Sequence, residues 1–372
     1  MKVGLDITPL TGNRTGVGTF CLNWAKCFLD SYPHIELHGF SSGMNRANNP
    51  ILPKLKSWKH VPIPTRLLYQ VWRLLGLPRV DKMFSGLDLF HATNYFLPPV
   101  KKCKRIVTIY DLVFIRYPEF CSPKIVGPFH RSVIRFAREA DAVVTCSESS
   151  KQELMELANI PSERIFVAYG GVPEDLRFPR REEAVALLQE RYGVHVPFIL
   201  YVGTLEPRKN VVGLLEAFLK VAGDLPHSLV LVGAVGWKTE PFFERLERTS
   251  HRERVVLPGY VPAADLPLFY AAADVFLFPS FYEGFGLPVV EAFAAGCPVI
   301  ASNRSSLPEV VGDAGILVNP EDHDALAAAI RSVVSDAAIR KILSEKGKAR
   351  ASQFTWARST QTLFQAYQKV VA

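Results

Sequence analysis

Two carboxylates, Glu283 and Glu291, bracket the run Gly284-Phe285-Gly286-Leu287-Pro288-Val289-Val290. Pro288 suits the start of a helix, because its ring fixes φ near the helical value and its missing N–H would have had no intrahelical partner there. The unpaired N–H groups and positive end of such a helix point at whatever sits over Gly284 and Gly286, and a diphosphate is the ligand they favour. Glycine at 286 lets the backbone come close to it. Glu283 in the turn and Glu291 in the first helical turn can each accept hydrogen bonds from sugar or ribose hydroxyls. The spacing alone fits a plainer arrangement equally well, in which Glu291 only complements the helix dipole and Glu283 is solvated.

Upstream, Arg208 and Lys209 follow an apolar strand pattern ending at Gly203 and precede a helix pattern that opens at Asn210. A bidentate guanidinium beside a compact ammonium at the carboxyl end of a strand can neutralise charge growing on a departing diphosphate. Read alone, the two are also an ordinary solvated pair. Near the N-terminus the loop from Thr11 to Phe20, with Gly12, Gly16 and Gly18, follows the first strand pattern and suits an anion or, equally, is a plain strand-to-helix turn. Its spacing is not the dinucleotide Gly-x-Gly-x-x-Gly, so a nicotinamide cofactor is disfavoured. His91 and Asn94 close another strand pattern and are candidates for an acceptor side; for His91 a satisfied core histidine is equally open.

The run Glu283 to Ser302, the run Gly203-Thr204-Leu205-Glu206-Pro207-Arg208-Lys209-Asn210 and the run Leu307-Pro308-Glu309-Val310-Val311-Gly312-Asp313-Ala314-Gly315 together resemble the signature segments of the large retaining glycosyltransferase family 4, which includes bacterial mannosyltransferases and sucrose synthase. The resemblance spans nearly the whole chain and is strongest from about Tyr201 to Asp324. It implies that Arg208 and Lys209 hold the donor phosphates and, with Glu283, Asp111 and Tyr110, form the catalytic set. It also implies that Gly16, Gly203, Phe285, Gly286, Leu287 and Glu291 line the donor, that Tyr260 and Val261 make backbone contacts to the nucleobase, and that His91 and Asn94 face the acceptor. With two cations on the phosphates, no metal and no cofactor are expected.

One segment departs from the pattern. Val107-Thr108-Ile109-Tyr110-Asp111 carries tyrosine where many members carry a His-Asp pair, and a phenol offers no imidazolium near neutral pH. In the implied mechanism the acceptor attacks from the face the nucleotide leaves, so configuration is retained. The departing phosphate oxygen can take the acceptor proton, which makes an enzyme base dispensable. The expected reaction moves a hexose, best read as mannose from GDP-mannose, from a nucleoside diphosphate sugar to a hydroxyl of a glycan or lipid-linked saccharide. Two readings stand beside it: a catalytically weakened sugar-nucleotide-binding scaffold or regulator of a glycan assembly complex, motivated by Tyr110, and a glycosidase using Glu283 and Glu291 as its carboxylate pair.

These residues need a scaffold, and the chain supplies one twice. Short apolar runs alternate with helix-length amphipathic segments, the signature of parallel sheets flanked by helices. Strands are expected at 3–7, 35–40, 87–91, 105–109, 142–146 and 165–168, then at 198–202, 228–232, 255–257, 275–278, 299–301 and 316–318. The expected fold is α/β of GT-B type: an acceptor-side Rossmann-like domain over 1–178, a donor-binding one over 179–354, and a final helix over 355–372 crossing back to the first. A linker opens near Val172–Arg181. Ligands of open α/β sheets bind outside the carboxyl ends of the strands, which places the expected site in a cleft between the domains.

Charge is unevenly shared. Residues 1–178 carry 23 Lys and Arg against 15 Asp and Glu, whereas the remainder carries 20 against 21. Within the basic half, the stretch Ile63–Lys82 interleaves leucines, Val71 and Trp72 with Arg66, Arg73, Arg79 and Lys82, a basic amphipathic pattern that suits either an anionic membrane surface or an ordinary packed surface helix. There is no recognised nucleic-acid module, so the positive charge is assigned to phosphates or lipid. Six cysteines without Cys-x-x-Cys spacing read as reduced thiols rather than a metal site. No apolar run reaches the roughly 18 residues of a spanning helix, and a cytoplasmic protein touching the inner face of a membrane is expected.

Overall fold

The computed structural model describes the backbone of all residues except 13–14, 46–48 and 174–175, and the side chains of all described residues except 123–125 and 127–131. The chain forms two compact units: residues 1–116, 123–170 and 356–372 make the first, and residues 117–122 and 171–355 the second. The passage at 170–171 lies ahead of the boundary read from the prolines and charges around residue 178. Val172 already bridges Thr355, which ties the entry of the second unit to its exit.

The first unit holds a seven-stranded sheet of β1 (Lys2–Asp6), β2 (Glu36–Ser42), β3 (Ser57–Val61), β4 (Leu89–Ala92), β5 (Lys104–Thr108), β6 (Ala142–Thr145) and β7 (Ile165–Val167), in the order β3-β2-β1-β4-β5-β6-β7. The second holds six strands, β8 (Phe198–Val202), β9 (Ser228–Val232), β10 (Val255–Gly259), β11 (Val275–Phe278), β12 (Val299–Ser302) and β13 (Ile316–Val318), in the order β10-β9-β8-β11-β12-β13. The pairings in both sheets are parallel. Central strands such as Phe198-Ile199-Leu200-Tyr201-Val202 are buried throughout, as expected when helices cover both faces. That double burial is why apolar runs marked these strands in the sequence. The strand β3 is different. Its sequence Ser57-Trp58-Lys59-His60-Val61 is half-exposed at the sheet edge, so it carries no apolar run and escapes that reading.

In each sheet the strand order reverses beside the first strand: β1 lies between β2 and β4, and β8 between β9 and β11. Helices leave in opposite directions at such a point and open a crevice at the carboxyl ends of the strands. The Arg208–Lys209 segment follows β8 and the Glu283 turn follows β11, so the second unit brings both motifs to its own switch point. Asn210 links them further. Its Oδ1 accepts from Gly213 N at 3.2 Å, capping the helix Val211–Ala222, while its Nδ2 donates to Pro279 O at 3.1 Å and Pro320 O at 2.7 Å.

The core of the first unit is closed by the helix Trp356–Val371. Trp356 meets Phe20 edge-on at 5.0 Å, and Trp24 Nε1 donates to Ser359 Oγ at 2.8 Å. His91 is fully buried beneath this helix, with Nδ1 2.7 Å from Tyr367 Oη and Nε2 2.7 Å from Thr108 Oγ1. Burial holds its imidazole down at about 3, so the ring is neutral and each nitrogen is matched to one hydroxyl. Tyr367→Phe removes one partner of a buried ring nitrogen. A loss of about 1–3 kcal/mol of unfolding free energy in a urea titration is expected, while Phe364→Ala, on the same helix, tests packing without that bond.

Candidate active site

At the second unit's switch point four charged side chains interlock. Arg208 donates from Nε and Nη2 to Glu206 Oε1 at 3.1 and 2.6 Å, and from Nη1 to Glu283 Oε2 at 2.9 Å and to Tyr282 O at 2.8 Å. Lys209 Nζ donates to the other oxygen of Glu283 at 2.5 Å and lies 4.7 Å from the centre of the Phe278 ring. Glu206, Lys209 and Glu283 are buried. Burial pushes the Glu283 carboxyl up, but Arg208 and then Lys209 override it and hold the group below the usual carboxylate range. Burial likewise lowers the Lys209 ammonium, only partly offset by Glu283. Both oxygens of Glu283, expected from the sequence to accept from hydroxyls, already receive a cation each.

The turn beyond Glu283 is fixed by its backbone. Glu283 N donates to Ser305 Oγ at 2.8 Å, and Ser306 Oγ donates to the carbonyls of Glu283 and Phe285, each at 2.9 Å. Gly286 has φ +109°, and a Cβ there would lie 2.9 Å from Leu307 Cδ2, so glycine is required at the cap. The helix then runs Leu287–Ala295 with Pro288 inside its first turn. In the same sheet Gly203 and Gly233 directly follow β8 and β9, and β10 ends in Gly259. A Cβ on Gly233 would stand 2.0 Å from Gly203 O, so backbone packs on backbone with no room for a side chain. Tyr260 follows this row with an exposed ring, and Val261 is buried. Gly203, Tyr260 and Val261 thus share the carboxyl edge of the sheet with Arg208, Glu283, Phe285, Gly286 and Leu287.

Glu291 stands apart from this cluster. It is the fifth residue of its helix rather than part of the first turn, and its Oε2 accepts from Tyr270 Oη at 2.9 Å. Burial raises its carboxyl to about 7, with the Tyr270 bond opposing the shift. A cavity of about 290 Å³ opens toward the opposite end of the sheet, where Asp274 precedes β11 and Pro298 precedes β12, lined also by Arg181, Cys297, Arg340 and Lys341. Its arginines are engaged with protein: Arg181 with Ala273 O and Asp274, Arg340 with Val333 O and Val334 O. The interlocked charges at the carboxyl ends, not this cavity, form the candidate site.

The first unit holds the other sequence-derived residues, and two of them serve its core. His91, expected on the acceptor side, is the buried, doubly bonded histidine described above. Tyr110, expected near the donor sugar, is buried and donates to Thr93 O at 2.9 Å, with burial raising its phenol well above the ordinary value. Its hydroxyl is therefore turned inward. Asp111 accepts from Val113 N at 3.2 Å and opens the short helix Val113–Arg116. Asn94 is half-buried just after β4. Gly16 is the exposed first residue of the helix Gly16–Ser31, whose N-cap is Thr15; Asn13 and Arg14 of the same loop lie outside the described residues, as do Glu174 and Asp175 of the linker.

Several site residues had no individual sequence signal. Glu206 is within the Gly203–Asn210 run but is recognisable only once its contact to Arg208 is seen. Ser305 and Ser306 lie some twenty positions from the turn they hold. The segment 117–122 is less expected still, because it belongs to the second unit. Phe120 stacks on Phe281 at 5.3 Å and 14°, Tyr117 meets Tyr282 at 5.6 Å, and Trp237 Nε1 donates to Phe120 O at 2.9 Å. These contacts brace the two residues that immediately precede Glu283.

Glu283→Ala strips buried Lys209 and half-buried Arg208 of their shared partner, and a loss of about 3–5 kcal/mol is expected in denaturant unfolding. Glu291 has the opposite linkage. Its folded pKa, about 7, exceeds the ordinary 4.5, so its contribution to stability is complete below pH ~4.5 and is lost as pH rises through 7. Glu291→Gln should therefore match the parent near pH 4 and exceed it by ~2 kcal/mol at pH 8, read as unfolding midpoints across that range.

Comparison with known proteins agrees with this geometry. The family described as Glycosyltransferase Family 4 matches residues 14–176, and the one described as Glycosyl transferases group 1 matches residues 191–350. The O-antigen chain mannosyltransferase B of Escherichia coli is 32% identical over 99% of this chain and 99% of its own length. Among solved structures, sucrose-phosphate synthase from Thermosynechococcus elongatus superposes with a TM-score of 0.75 at 21% identity, covering 99% of this chain and 98% of that one. Anabaena HepE in complex with UDP and glucose gives a TM-score of 0.75 at 20% identity, covering 99% and 100%. With two parallel Rossmann-like sheets, both family segments in order and a full-length relative, the chain belongs to glycosyltransferase family 4 and has the GT-B fold.

Proposed function

We propose that this glycosyltransferase moves mannose from GDP-mannose, with retention of anomeric configuration, to a hydroxyl of a glycan or lipid-linked saccharide. The observation that carries the reading is the interlocked Arg208, Lys209 and Glu283 beside the helix start at Leu287, within a chain alike end to end to a mannosyltransferase. Carboxylates on both sides hold the guanidinium in one orientation, so an arriving diphosphate meets cations that need little further ordering. As the bond from the anomeric carbon to the phosphate oxygen breaks, negative charge grows where these fixed donors lie, and their stabilisation grows with it. The acceptor oxygen bonds to the same carbon, and its proton passes to the departing phosphate oxygen. Glu291, and the backbone beside Gly203 and Tyr260, serve the nucleoside part, and the cationic pair takes the charge-neutralising role without a resident metal.

The inward-facing Tyr110 hydroxyl favours a second reading, in which the protein binds sugar nucleotide but turns it over slowly or not at all and supports an assembly complex. One experiment separates the two. The protein is incubated with labelled GDP-mannose, UDP-glucose and other sugar nucleotides and an array of glycan acceptors, with and without chelator, and products are read by mass spectrometry and anomeric NMR. Transfer of mannose in the retained configuration, unaffected by chelator, is expected, and Arg208→Ala should slow it by about 10²–10³-fold. Inverted product or preference for another donor overturns that part of the reading. Tight donor binding without turnover on any acceptor establishes the scaffold instead.

A further inference from the structure

Among the described residues, four of the eleven exposed large apolar side chains fall within residues 67–77: Leu67 at 55%, Leu74 at 73%, Leu75 at 69% and Leu77 at 52% exposure. They belong to the helix Thr65–Leu75 and the left-handed Gly76 turn that ends it. The opposite side of this helix is firmly held. Leu68 and Trp72 are buried, Trp72 Nε1 donates to Pro78 O at 3.0 Å, and Tyr69 stacks on Phe96 at 3.7 Å. At about 100° per residue, Leu67 and Leu74 lie one above the other, Val71 and Leu75 continue the stripe toward the buried side, and Arg66 and Arg73 form a parallel row on its other flank. Arg66 and Arg73 are exposed, and from Pro62 to Val80 the sequence contains no Asp or Glu. Arg79 is occupied by Asp81 and lies outside this row.

We propose that this face docks the protein on an anionic lipid surface, with Leu67, Leu74, Leu75 and Leu77 entering the acyl boundary and Arg66 and Arg73 meeting the headgroups. Charge complementarity selects this occupant. Two exposed arginines alongside leucines, with no acidic residue in the segment and on the half of the chain that carries the positive excess, match a surface that is apolar at one depth and negative at the next. Among the described residues no helix is long and apolar enough to cross a membrane, so the contact is a surface one. The inference does not depend on which sugar is transferred.

Sedimentation of the full chain with phosphatidylcholine–phosphatidylglycerol vesicles, against phosphatidylcholine alone, tests it. Binding to the anionic vesicles that weakens with salt is expected. The paired change Leu74→Ser with Leu75→Ser should weaken it about tenfold or more, and Arg66→Glu with Arg73→Glu by a similar factor. Melting temperature and turnover of soluble substrates should stay unchanged, because these side chains are exposed. A parent protein that ignores both vesicle types, or variants that bind as the parent does, overturns the proposal. A parent that self-associates, falls to monomer on the leucine changes and never pellets with lipid shows the face to be a contact between copies instead.

Discussion

Charges withdrawn from water persist only with partners, and the switch point of the second unit is organised around that constraint. Glu283 answers Arg208 and Lys209 at once, and Glu206 completes the guanidinium. For those groups to meet, the segments after β8 and β11 must be adjacent, which the strand order secures by making β8 and β11 neighbours. The remaining local features serve the same end: Asn210 ties both segments and the residue after β13, while Ser305 and Ser306 fix the Glu283 turn. A balanced, largely buried cluster of this kind holds its two cations in place without leaving a large uncompensated charge.

The first unit repeats the architecture with different chemistry at its strand ends. Its centre is neutral and aromatic: Trp24 and Tyr367 pack against His91, and Phe20 joins Trp24, Tyr110 and Trp356 beside them. A tyrosine at 110 fits there because its ring lies nearly parallel to Trp24, 10° off at 6.4 Å, and its one donor finds the Thr93 carbonyl. A histidine in its place would bring two ring nitrogens to be satisfied. The tyrosine is thus accommodated by packing, with its hydroxyl committed to the core.

The two surfaces with unusual character also differ in kind. At the carboxyl edge of the second sheet, Gly203 and Gly233 lack side chains so that the two strand ends can pack backbone to backbone. On the helix Thr65–Leu75, leucines remain in water although burial is available on the opposite side. The first is backbone brought into close contact with backbone; the second is apolar area of the sort that marks contact with something larger.

Much of this protein is dictated locally and was readable along the chain. Strands buried on both faces had to be apolar runs, the order of turn, glycine and proline around residue 286 had to start a helix, and the adjacent cations after Gly203 had to lie at a strand end. Composition and spacing could go no further, because partner choice is a property of space. That Glu283 is consumed by two cations while Glu291 binds Tyr270 and sits near neutrality, that His91 and Tyr110 turn inward, and that residues 117–122 brace Phe281 all depend on contacts between positions far apart in the chain. The polar edge strand β3 was hidden for the same reason, since an edge needs only one neighbour and leaves no periodic mark. Amphipathic spacing showed that the helix Thr65–Leu75 has two faces; only the tertiary structure decided which leucines the core would take and which it would leave in water.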